Sequence, residues 1–439
     1  MNFPRTPFKL NESEKGDKEL LNYLRVRDNF PYLDKSTYEK IDSIKMDHTK
    51  PNMQKHQQEL IGLWPMILTD VLLRLKKNDT REWHNDNKHM GTFFDKKSLG
   101  IDELEEVFTG FSEFEGMMYG ASPEHYRDHI THSFRVWIIG QGLLNECFNN
   151  KLSMNEKVEL EISEMEWACM WTIVALCHDV GYPLSQIERI NQKAQKTFRR
   201  QGLKSVGNMS FSFSDQLLPF HDSIIKLIAS KPVRNGDTLY LTHLQNKYYL
   251  KLLKSFDKLD HGIISSLLIS NALVYFLESD YSHDPYSSLG KEDVRQFVIR
   301  REILRSIAAH TCQDIYHLYF NTLSFLLYIV DEIQCWGRPT FMQLQQEHSL
   351  KESCIEVKEF NDKRIKLIIT TYADKWDNKQ IKLVSVQVGR LKKMLRLAVD
   401  TKKLIEKHFM HFEVTNKSGQ KCLLSLDRGK IAFVEPKKL

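Results

Sequence analysis

The chain has 439 residues, of which 41% are hydrophobic, and a formal net charge of +5. A chain of this kind can bury a large core and divides most naturally into two or three units. Its balanced charge excludes an extreme acidic or basic protein whose net charge alone would point to nucleic acid or a membrane surface.

Seven cysteines lie without CxxC spacing. They read as reduced thiols, not as a disulfide frame or a structural zinc site. The start, Met1 to Arg5, soon becomes charged and lacks the apolar core of a secretory signal. The most apolar stretches, Trp167 to Cys177 and Leu323 to Val330, fall short of the roughly 20 residues that span a bilayer. A cytoplasmic protein without membrane segments is expected.

Up to about Gly110 the sequence predicts a mostly helical extension, with a helix over Leu60 to Lys77 and a polar loop from Asn85 to Lys97. From Glu124 to about Arg338 helical periodicity dominates. Ile130, Phe134 and Ile138 recur every fourth residue. Glu166 to Cys177 is apolar nearly all round, the mark of a buried central helix, and Gly181 and Pro183 stop it. The pattern loosens between Gln192 and Asp260, as in an insertion. Helices resume over Asp260 to Leu277, Lys291 to Ala309 and Tyr319 to Gln334.

The tail alternates apolar and polar residues. Cys354 to Phe360 and Arg364 to Tyr372 flank an Asn361-Asp362 turn, and Phe409 to Thr415 and Gln420 to Leu426 flank Asn416 to Gly419. A basic amphipathic helix is predicted between them, over Gln387 to His408. The expected architecture is mainly α. It comprises an extension over 1–110, a helical domain over 111–345 with an insertion near 192–259, and a small α+β module of ββαββ order over 350–439. That module is expected to regulate or assemble the protein.

The chemistry gathers around His178-Asp179 at the end of the buried helix. A charged aspartate there is costly to bury unpaired, and a metal ion would satisfy both side chains. Alone, the pair reads more readily as a helix end meeting solvent. It is accompanied by His125, His129 and His132, which fall at i, i+4 and i+7 and so share a helix face. Further on come Asp260-His261-Gly262, Ala309-His310 and Val330-Asp331-Glu332, each on or beside an apolar helix. Imidazole and carboxylate donors together suit Mn, Fe, Co, Ni or Zn, with Mg less favoured.

The ordered set His132, His178-Asp179, His261, His310 and Asp331 resembles the HD-domain metal-dependent phosphohydrolase superfamily. Asp128 to Val136 resembles its first helix, Ala175 to Gly181 its name-giving motif, and Leu326 to Glu332 its closing aspartate helix. The resemblance covers about the middle half of the chain and implies a helical bundle with a metal site between helices. It implies that His132, His178, Asp179 and Asp331 hold one divalent transition metal. His261 and His310 match the extra histidines of two-metal members, in which the counterpart of Asp179 bridges the ions. Two such ions activate water and clamp a phosphate. The implied reaction is hydrolysis of a nucleotide phosphoester or anhydride. A phosphodiester or cyclic nucleotide is favoured over a deoxynucleoside triphosphate or guanosine tetraphosphate.

Other residues are weaker candidates. His129 is a potential general acid and His125 a substrate contact, although both also suit a hydrated cleft mouth. Gln313 and His317, three and seven residues beyond His310, share its helix face and would line the pocket; core packing explains them nearly as well. Arg338 leads the possible phosphate contacts, followed by Arg127, Lys196, Arg199, Arg200, Arg301 and Arg305. Glu332 points about 100° away from Asp331 on a helix and is not expected to be a ligand. The basic helix is compatible with nucleic acid but more often covers a small sheet. Two further functions fit the residues: a non-catalytic nucleotide sensor, which a complete ligand set argues against, and oxidative chemistry at a di-iron site, which an oxygen requirement would distinguish.

Overall fold

A computed structural model describes residues 8–10, 20–44, 53–79, 98–110, 129–148, 151–154, 160–185, 219–277, 288–317, 319–334, 353–371, 374–394 and 407–436. The chain is mostly helical with a small C-terminal sheet. Among the described residues the main helices are α1 (Lys35–Ser43), α2 (Met53–Lys77), α3 (His129–Phe148), α4 (Glu164–Cys177), α5 (Pro219–Ala229), α6 (Asn246–Asp257), α7 (His261–Ala272), α8 (Lys291–Ala309), α9 (Leu323–Gln334) and α10 (Asn378–Met394). No helix among the described residues is long and apolar enough to cross a membrane.

Helix α4 is the axis of the helical region. It packs against α2, α3, α8 and α9, which explains why it is apolar all round, with every residue from Glu166 to Cys177 buried. Its start is fixed by a reciprocal cap: Glu166 N–H donates to Ser163 Oγ at 3.2 Å, and Ser163 N–H donates to Glu166 Oε2 at 2.9 Å. The buried Glu166 carboxylate also pairs with Arg295 of α8. At the other end Trp64 of α2 donates its indole N–H to Leu176 O at 3.1 Å. That bond satisfies one of the carbonyls a helix C-terminus leaves over. The end of α4, which carries His178 and Asp179, is thus held from the side.

The expected insertion proves ordered where it is described. Helix α5, a hairpin of β2 (Ser230–Asn235) and β3 (Leu239–Leu244), and α6 form a helix–hairpin–helix unit packed on α8. Arg301 and Arg305, read from sequence as phosphate contacts, do a different job here. Arg301 is buried and donates to Ser230 O at 3.1 Å, while Arg305 donates to Ile228 O at 2.8 Å and Ser230 O at 2.9 Å. Their guanidinium groups are taken up by carbonyls at the end of α5, where cations are favoured.

The tail departs from the expected ββαββ order by two strands. The sheet has six strands in the order β1 (Phe8–Leu10), β4 (Ser353–Phe360), β5 (Arg364–Thr371), β6 (Phe409–Asn416), β7 (Lys421–Asp427) and β8 (Lys430–Val434). The two expected hairpins are present. The third hairpin strand β8 was not foreseen, and the N-terminal strand β1 pairs antiparallel with β4. Residues Phe8–Leu10 therefore belong to the same sheet as the C-terminal strands. Strands β5 and β6 run parallel, a pairing that requires a crossover. The crossover contains α10, which begins nine residues before the predicted Gln387. Residues 395–406 of the predicted basic helix lie outside the described residues, as does the loop from Asn85 to Lys97, and Lys407 and His408 at its expected end are not helical. The sheet packs on the helical region through Phe360, whose ring lies 4.8 Å from that of Phe148 and 6.3 Å from that of Phe325.

Candidate metal centre

Five helices bring the predicted donors together. His132 lies on α3 and Asp331 on α9. His178 and His310 are the C-caps of α4 and α8, and His261 opens α7. His132, His178, Asp179, His261, His310 and Asp331 form overlapping groups whose donor atoms lie within 4.8 Å of one another. The rings adjoin in a row, with centroids 5.3 Å apart for His132 and His178, 5.1 Å for His178 and His310, and 5.0 Å for His310 and His261.

Asp179 divides the cluster. Its Oδ2 lies 3.3 Å from His178 Nε2 and 3.7 Å from His132 Nε2. Its Oδ1 lies 3.1 Å from His261 Nε2 and 3.6 Å from His310 Nε2. Asp331 Oδ1 joins the first side, 2.9 Å from His132 Nε2 and 4.0 Å from His178 Nε2. One carboxylate thus presents each of its oxygens to a different pair of histidines.

The imidazoles are oriented for coordination. His178 Nδ1 donates to Ala175 O at 2.8 Å, and His310 Nδ1 donates to Ile307 O at 2.6 Å. In both cases the ring folds back over the last helical turn and uses a leftover carbonyl. A proton held on Nδ1 leaves the lone pair on Nε2, facing the carboxylates. His178 Nε2 is buried without a well-aligned hydrogen bond. That inward-facing donor belongs to a set of imidazoles and carboxylates that could hold a metal ion.

The titration directions agree with strong pairing inside the cluster. Burial alone would raise the pKa of Asp179, yet the surrounding histidines, His178 first, hold it well below the usual carboxylate range. Asp331 is likewise lowered: burial opposes the shift, and His132 and His178 outweigh it. Burial works against charge on His178, but Asp179 and Asp331 raise its pKa. His310 is lowered, chiefly by burial.

Two glycines and a serine allow this convergence. A Cβ on Gly181 would lie 2.7 Å from His261 O, and one on Gly262 would lie 2.6 Å from Ile307 O and 2.9 Å from His310 Nδ1. Only a residue without a side chain permits α7 to approach both neighbouring helix ends so closely. The buried Ser265 hydroxyl accepts from Gly181 N–H at 2.8 Å and donates to His178 O at 2.7 Å. It fastens the turn carrying Asp179 to α7. Sequence patterning offered no sign of Ser265, and read Gly181 only as a helix stop.

The remaining candidates are scattered. His129 is buried beside the cluster, its ring 4.0 Å from that of Tyr182, which in turn meets His261 edge-on at 5.5 Å. The face expected to join His310, Gln313 and His317 does not form, because α8 ends at Ala309. Gln313 is exposed in the turn that follows. His317 is buried, stacked on Tyr328 at 5.6 Å. His125, Arg127, Lys196, Arg199, Arg200 and Arg338 lie outside the described residues. Glu332 is buried and lies 3.5 Å from Arg390 of α10.

Comparison of the chain with family models, curated proteins and solved structures gives no match. The helical fold and the six-residue cluster stand on the chain's own geometry.

Proposed function

We propose that this chain is a divergent HD-type metal-dependent phosphohydrolase that cleaves a phosphoester or anhydride in a nucleotide. Cyclic or phosphodiester substrates are favoured over deoxynucleoside triphosphates and guanosine tetraphosphate. The observation that carries this reading is the division of Asp179, whose two oxygens face two separate histidine pairs. His132, His178, Asp179 Oδ2 and Asp331 would hold one cation; His261, His310 and Asp179 Oδ1 would hold a second. Bound there, divalent metals supply Lewis acidity toward the phosphate and lower the pKa of water.

The chain itself contributes orientation. Ala175 O and Ile307 O keep the protons of His178 and His310 on Nδ1. Asp179 and Asp331 remain ionised and place two carboxylates among the four histidines. His129, whose ring lies against that of Tyr182, is the candidate for giving a proton to the leaving oxygen in this reading.

The test is a screen of the full chain, loaded with Mn, Co, Fe, Ni or Zn, against cyclic nucleotides, phosphodiesters, deoxynucleoside triphosphates and guanosine tetraphosphate. Phosphate or nucleotide products should appear with the wild type and be absent with Asp179→Asn. Nucleotide binding without turnover in every metal would replace this reading with the sensor; turnover only with oxygen would replace it with di-iron chemistry.

A further inference from the structure

His178 and His310 have their outer nitrogens fixed by carbonyls of their own helices. His132 cannot use that device. It stands well before the C-terminal turn of α3, and away from that turn the backbone carbonyls are taken up by the helix's own N–H groups. Its Nδ1 instead meets Oε1 of Gln334, a buried side chain at the end of α9. Gln334 stands three residues after Asp331, so the two share a helix face. The same imidazole is therefore gripped at both nitrogens by one helix, with Asp331 Oδ1 2.9 Å from Nε2 and Gln334 Oε1 at Nδ1.

We infer that Gln334 is a positioning residue for the metal centre: its carbonyl oxygen keeps the His132 proton on Nδ1 and the coordinating lone pair on Nε2. This inference rests on the metal-centre reading above. Without the Gln334 acceptor, the neutral ring is free to carry its proton on Nε2 and donate it to Asp331. That closed His–Asp hydrogen bond uses the two atoms a cation needs, and metal binding would have to break it. Second-shell acceptors of this type typically change metal affinity by about 10–100-fold.

The experiment is titration of the full, metal-free chain with Co2+, followed by its visible absorption, for wild type, Gln334→Leu, Gln334→Asn and Gln334→Glu. Circular dichroism and urea unfolding of the same metal-free samples report the fold. Gln334→Leu should bind Co2+ about 10–100-fold more weakly, and Gln334→Asn, which withdraws the carbonyl by one methylene, should also bind more weakly. Gln334→Glu retains the acceptor and should restore binding and the wild-type spectrum. If Gln334→Leu fails to fold, the contrast between Asn and Glu decides. Wild-type affinity in Leu or Asn, or equal loss in Asn and Glu, would overturn the inference while leaving the metal centre standing. A wild-type chain that binds no Co2+ would overturn both.

Discussion

Arg390 Nη1 of α10 lies 3.5 Å from Glu332 Oε1 of α9, the residue that directly follows Asp331. The C-terminal module thereby touches the helix that supplies a donor to the metal cluster. Glu332 is buried whereas Arg390 is about half exposed, so solvent screens the pair and its removal should cost about 1 kcal/mol or less. Arg390→Ala is expected to loosen the seating of α10, seen as faster proteolysis after residue 371, with little change in global stability. Unchanged cleavage would mean that this pair does not seat the module and that its other contacts, such as Phe360 on Phe148 and His408 on Phe320, suffice.

Asp179→Asn should abolish turnover and leave the helical fold intact. The amide is similar in shape but carries no charge, and it cannot hold two cations close together. Helix α4 keeps its buried surface, so circular dichroism should be unaltered. A folded variant with native turnover would count against hydrolysis at this centre.

Metal stoichiometry should separate the two sides of Asp179. His261→Ala removes a donor that faces only Oδ1 and is expected to lower the content from two ions per chain to one. The His178→Ala Asp179→Ala double variant should lose both. Elemental analysis of metal-replete protein measures this, and a wild type that never exceeds one ion would remove the second site.

Ser265→Ala should destabilise the fold by about 2 kcal/mol, because it leaves Gly181 N–H and His178 O without their buried partner. It should also weaken metal binding, since the turn carrying Asp179 loses its tie to α7. Urea unfolding of metal-free protein measures the first effect, and Co2+ titration the second.

His317 provides a pH dependence away from the cluster. Burial lowers its pKa from 6.5 to about 4, so the folded chain takes up its proton less readily than the unfolded chain. Its contribution to stability is complete above pH 6.5 and falls as the pH drops toward 4. Between pH 7.5 and 5 that loss amounts to about 2 kcal/mol. His317→Phe, which keeps the ring against Tyr328, should lose about that much less stability than wild type over the same interval. Parallel unfolding curves for the two proteins would show that His317 is not the group responsible.

Several features were legible in the sequence because they are local. The all-round apolar pattern of α4 follows from its contacts with four other helices, and both tail hairpins announced themselves through strand alternation and turn residues. Other features depend on partners far away along the chain. Gln334 looks like any polar residue ending an apolar helix until His132, 202 positions earlier, is placed beside it. Arg305 looks like a phosphate contact until the end of α5 supplies carbonyls 77 positions away. Strand β1 is three residues long, too short for alternation to distinguish it, and its partner β4 lies at the other end of the chain.

The sequence by itself determined the donor chemistry and its helical carriers: the order of His132, His178-Asp179, His261, His310 and Asp331, each beside an apolar run. Periodicity and side-chain type are properties of neighbouring residues, and they survive without coordinates. Only the tertiary structure decided that Asp179 turns one oxygen to His132 and His178 and the other to His261 and His310. That division depends on the directions in which separate helix ends arrive. Those directions are set by long-range packing, including the close approach that Gly181 and Gly262 permit.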